Sequence, residues 1–71
     1  MKKYLIIIEK TESGYSSYAP DLPGCAASGR TKEEVEENMY EAIKFHLEGM
    51  KEEGLDIPSA NSESEMIVLN I

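Results

Sequence analysis

Cys25 is the one cysteine of the chain, and it stands in the run YAPDLPGCAASGRTKEE, residues 18–34, four residues after Asp21 and next to Gly24. A thiol near a carboxylate in a glycine-containing bend has some of the parts of a nucleophile. Forming the thiolate needs a base, however, and the only histidine, His46, falls in the middle of a helical pattern. There it projects near the centre of an apolar stripe, flanked by Met39, Ala42 and Met50. No second His or Cys stands at metal-ligand spacing beside it, so it reads as a core or interface histidine. Asp21 and Glu9 offer carboxylates that could converge on a divalent ion. With fourteen acidic residues in 71, such pairs also arise by chance, and the glutamates of the helical region read as a solvated face. The five glycines lack phosphate-loop spacing and read as turn and cap residues. No catalytic residue, no metal and no cofactor is expected, and Cys25 reads as a small packing residue.

The elements that hold these residues must come from one small domain, residues 1–71, in a size range where a single core leaves little stability to spare and oligomers are common. Seven basic residues face fourteen acidic ones, for a net charge of -7. Direct nucleic-acid binding is not expected, because affinity there is dominated by cationic side chains neutralising phosphates. A basic protein partner is the better electrostatic match. One cysteine cannot form an internal disulfide, and no run has the pattern of a signal peptide or membrane span, so a cytoplasmic protein without membrane contact is expected.

Residues 3–9, KYLIIIE, read as a strand with Tyr4, Ile6 and Ile8 on one face and Leu5 and Ile7 on the other. The loop KTESG then leads to a second, antiparallel strand at residues 15–19. Leu22-Pro23-Gly24-Cys25 fits a type II turn, with Pro presetting one φ and Gly supplying the positive one, so Pro23, Gly24 and Cys25 form a structural corner. A short third strand follows at residues 25–28. Thr31 and Glu34 match a capping box, and Val35, Met39, Ala42, Ile43, Leu47 and Met50 trace one helical stripe that Gly54 is placed to end. Between Thr31 and Gly54 lie eight Glu and three Lys, so most of the net charge belongs to this helix. Residues 65–71, EMIVLNI, read as a last strand with apolar residues in both alternating sets. The expected class is α+β, a βββαβ domain with an antiparallel sheet and one long helix on one face. One helix covers one face only, so a second copy of the chain or another partner is expected on the other, giving a homodimer or higher homo-oligomer.

Residues 18–58 resemble the HicB-like antitoxin family. Its marks are a strand ending in a corner like Pro20-Asp21-Leu22-Pro23-Gly24-Cys25, then a short strand ending like Gly29-Arg30-Thr31. An acidic helix with a segment like AIKFHLE, residues 42–48, and a loop ending like Ile57-Pro58 complete them. The resemblance implies a partial ribonuclease H-like fold without that enzyme's active site, and a partner in the form of a small, basic, mRNA-cleaving HicA-like toxin. It also implies that the corner is not a chemical site. Many relatives carry a further DNA-binding segment; no match to one follows the helix here, so operator binding by this chain is not expected. The partner-binding residues expected are Tyr15 and Tyr18, from the second strand, with Asp21 at the corner and Glu36, Glu37 and Glu41 on the helix. The alternatives are an orphan oligomeric regulatory or scaffold protein without a toxin, and a metal-dependent nuclease-like enzyme using the carboxylates or Cys25.

Overall fold

The computed structural model describes residues 2–71. Three short strands, β1 (Ile7–Lys10), β2 (Tyr15–Tyr18) and β3 (Ala26–Gly29), precede one long helix, α1 (Lys32–Glu52). The sheet order is β1-β2-β3 and both pairings are antiparallel. Ile8, Ser17 and Ala27 stand in one cross-strand row, and Ile7, Tyr18 and Ala26 in the next. Since side chains alternate across a strand, the first row and the second point to opposite faces. The helix packs on the first. Leu22, Val35 and Met39 are the fully buried side chains; Leu22 and Met39 form one core cluster with Ala19 and Cys25, and Tyr4, Ile6, Ala27, Ala42, Ile43 and Leu47 pack against it.

Each turn of the chain has a local cause. Leu22 N donates to Ala19 O at 3.0 Å, and Cys25 N donates to Leu22 O at 3.0 Å, so the corner is two successive β-turns, with Pro20 and Pro23 as their first central residues. Ala19 N then donates to Cys25 O at 3.1 Å and closes the pair. Gly24 has φ 82°, as the second central position of a type II turn requires. A side chain added there would meet nothing within 4 Å, so the constraint is the backbone and not space. Gly24→Val is therefore expected to destabilise the domain by about 1–3 kcal/mol, with Gly24→Asn costing clearly less because Asn tolerates this region. Urea titration of the two variants checks this; equal costs would sink the backbone argument.

At the helix start, Thr31 Oγ1 accepts from Glu34 N at 3.0 Å, while the Glu34 carboxylate reaches back to Arg30 N at 2.8 Å, one residue before the usual capping-box donor. Gly29 lies so close to this start that a Cβ would sit 2.6 Å from Val35 N, and Asn38 Nδ2 ties the helix to β3 through Ser28 O at 2.8 Å. At the other end, Gly54 N donates to Lys51 O and Leu55 N to Met50 O, the paired bonds of a Schellman motif. Gly49 is neither a turn nor a cap residue, contrary to expectation; it lies inside α1.

The sheet is shorter than the apolar runs. β1 begins at Ile7 because its partner β2 ends at Tyr18, ahead of the Ala19–Cys25 corner, so residues 3–6 have no ladder opposite them. The last strand expected at residues 65–71 does not form. That segment pairs with no strand and takes part in none of the backbone hydrogen bonds between described residues. Its Met66, Ile67, Val68, Leu69 and Ile71 are 69–110% exposed. A strand is held by its ladder and by cover on its apolar faces, and within one chain this segment has neither. The observed order is thus βββα, followed by a segment that leaves the body. The radius of gyration, 13.9 Å, exceeds the roughly 11 Å of a compact chain of this length accordingly.

Candidate protein-binding surface

Cys25 and His46 both line a groove of about 640 Å³ between the corner and the second half of α1, which Phe45, Met50 and Leu55 also line. The chemistry a thiol and an imidazole could do there is opposed by burial. Cys25 is 4% exposed, and desolvation pushes its thiol above the ordinary range, away from the thiolate that a nucleophile requires. Asp21 is turned to another task. Its Oδ2 accepts from Asn61 N at 3.0 Å and Ser62 N at 2.9 Å, and its Oδ1 from Ser62 Oγ at 2.9 Å. These bonds, the Ser62 amide first and then its hydroxyl, hold the carboxyl below the usual carboxylate range, although desolvation acts the other way. Among the described residues, no group of three His, Cys, Asp or Glu is placed to hold a metal ion.

Asp21 thus clasps the loop that follows the helix onto the corner, and a second clasp runs from Tyr4 Oη to Pro58 O at 2.6 Å. Because the folded-state pKa is depressed, this clasp contributes fully above the unfolded carboxylate value and is lost as pH falls through the folded one. Asp21→Ala is expected to bring amide exchange at Asn61 and Ser62 close to that of an unstructured chain at neutral pH, and acidification should do the same to the unmodified protein. Hydrogen exchange followed by NMR reads both. Unchanged protection in the variant would show that the loop is held by something else.

The six expected binding residues do not share one surface. Glu36, Glu37 and Glu41 are exposed on α1, with Glu37 and Glu41 opposite the buried stripe of Val35 and Met39 at 100° per residue. Tyr18, 44% exposed, lies on the sheet face that α1 does not cover, beside Ile7 and Ala26. Tyr15 alternates to the helix side of the sheet, with Lys10 Nζ 4.9 Å from its ring centre. Asp21 serves the loop. Two opposite surfaces therefore remain: an acidic helix ridge, and an open sheet face of Tyr18, Ile7 and Ala26. Sequence reasoning missed Phe45, which is 79% exposed beside the corner groove, and Tyr40, 66% exposed on the far flank of the helix. Both are aromatic residues off the buried stripe, which was the available signal.

No helix among the described residues is long and apolar enough to cross a membrane. Residues 4–70 match the model of the HicB_like antitoxin of bacterial toxin-antitoxin system. An uncharacterized 14.9 kDa protein from the rep-hol intergenic region of Haemophilus phage HP1 is 44% identical over 64 residues, which are 90% of this chain and 48% of that protein. The chain thus spans about half the length of that phage relative. A UPF0150 protein of Thermoplasma acidophilum is 44% identical over 62 residues, 86% of this chain and 90% of its own. Among solved structures, a chain of the HicA3 and HicB3 toxin-antitoxin complex superposes with a TM-score of 0.73 at 37% identity, covering 84% of this chain and 70% of that one. Three antiparallel strands, a long capped helix and a match over nearly every residue lead to one conclusion: the chain belongs to the HicB-like antitoxin family.

Proposed function

We propose that this chain is a non-enzymatic protein-binding module that neutralises a small, basic, HicA-like RNA-cleaving toxin. The observation that carries the proposal is the 0.73 TM-score to a chain solved within a HicA3 and HicB3 complex, at an identity that goes beyond shared fold. The charge agrees with it. A net charge of -7, concentrated on one exposed helix, attracts a basic partner and repels RNA, so the module can compete for a toxin without binding the toxin's substrate. Buried Cys25, with its raised pKa, supports a role without chemistry at the corner.

The test is to co-express the chain with the product of an adjacent reading frame that encodes a small basic protein, and to follow RNA cleavage as the purified chain is titrated in. Stoichiometric loss of cleavage is expected, and the chain alone should leave RNA intact with magnesium or manganese. Absence of binding, or binding that leaves cleavage unchanged, would overturn the antitoxin reading. Metal-dependent cleavage by the chain itself would replace it with the nuclease.

A further inference from the structure

Among the described residues, two stretches have the pattern of a strand and an edge that no other strand covers. The first is the free edge of β1 together with residues 3–6 ahead of it, where Tyr4, Leu5, Ile6, Ile7 and Ile8 are only half-buried. The second is residues 65–71, whose apolar side chains alternate to both sides and are almost wholly in solvent. An open edge next to β-branched residues is a template for pairing with another strand, and an unpaired apolar segment is a strand in search of one.

We propose that residues 65–71 add to the β1 edge of a second copy of this chain, and that the exchange is reciprocal. Three observations choose a second copy as the occupant. Both halves of the contact belong to the same chain, so a two-fold axis satisfies both at once with one self-complementary interface. The lengths agree, since seven residues face residues 3–9. The charges agree as well: Lys2 and Lys3 stand at the start of the edge, and Glu63 and Glu65 at the start of the segment. Parallel alignment sets Glu65 beside Lys3, whereas antiparallel alignment sets it beside Glu9, so the added strand runs parallel to β1. Residues of the added strand that point away from the helix would extend the open face formed by Leu5, Ile7 and Tyr18. The contact requires no other protein and stands apart from the antitoxin reading.

The test uses Val68→Pro in the full chain. Val68 is 94% exposed and takes part in none of the backbone hydrogen bonds between described residues, so proline there leaves the fold of one copy intact, while it removes a ladder donor from the proposed strand. Sedimentation equilibrium should show the unmodified chain as a dimer at micromolar concentration. In the variant, dissociation should be about a hundredfold easier, because a symmetric pair loses the bond twice, at up to roughly tenfold each. Circular dichroism should show the same helix content. A mixed sample of differently isotope-labelled copies should then give NMR contacts from Val68 to Ile6 or Ile7 between copies. A monomeric unmodified chain, or a dimer unaffected by Val68→Pro, would overturn the proposal. So would Val68 contacts confined to one copy, which would make the segment a fourth strand of its own sheet, or contacts that form only when a toxin is added, which would make the toxin the occupant.

Discussion

Leu22→Ala is expected to lower the stability of the domain by about 2–5 kcal/mol, the range for emptying a fully buried leucine site. Leu22 has no exposed surface, and it stands between the two turns of the corner, against Ala19, Cys25 and Met39. A chain this small has roughly 4–11 kcal/mol to lose, so this one truncation removes a large share. Cys25→Ala, a few residues on, removes only one sulfur from the same cluster and should cost about 1 kcal/mol. Urea titration of both variants measures the contrast. If Leu22→Ala cost under 1 kcal/mol, the corner would not be the anchor of this core. If Cys25→Ala abolished partner binding at unchanged stability, the corner would have a chemical task.

Reversing Glu36, Glu37 and Glu41 to Lys takes the net charge from -7 to -1 and turns the exposed helix ridge from acidic to basic. Association with a basic toxin should then slow by about tenfold to a hundredfold at low salt, and the difference should fade as the Debye length shrinks from about 10 Å at 0.1 M towards 3 Å at 1 M. The dissociation rate should hardly change, since rim charges act on encounter. Tyr18→Ala is the complementary variant. It removes an aromatic from the open sheet face, on the opposite side from the helix ridge, and should raise the off-rate while leaving the salt dependence alone. A second triple reversal, at Glu9, Glu12 and Asp56, controls for overall charge. Stopped-flow traces across a salt series distinguish the three. Equal slowing by both triple reversals would show that net charge alone steers the toxin, and the helix ridge would lose its special place.

How much of this was legible in the residues depends on the range of the forces involved. The type II turn at Pro23-Gly24, the Thr31 cap, the Gly54 stop and the helix stripe between them are decided by φ preferences and by hydrogen bonds spanning a few residues. A short window of sequence contains both partners of each, so all four were predictable, and with them the α+β class. Asp21 is different, since its partners Asn61 and Ser62 lie forty residues away. No local rule distinguishes a loop anchor from an exposed binding carboxylate. Gly29 likewise looks like an ordinary turn glycine until α1 passes over it.

The chain's own residues determined the corner, the helix with its acidic outer ridge, and the antiparallel hairpin, because each is closed by neighbours in sequence. The tertiary structure alone decided three further matters. It put Tyr18 and the glutamates on opposite sides of the molecule, because strand parity and helix phase become comparable only once α1 has docked on the sheet. It placed His46 and Cys25 on the lining of one groove while burying the thiol, which opposes any chemistry between them. It also left residues 65–71 without a partner, although their pattern is as strand-like as that of residues 3–9. A strand pattern records only that a segment fits a pleated, covered surface; whether it pairs depends on a free edge and apolar cover within reach, and these are properties of the assembled molecule.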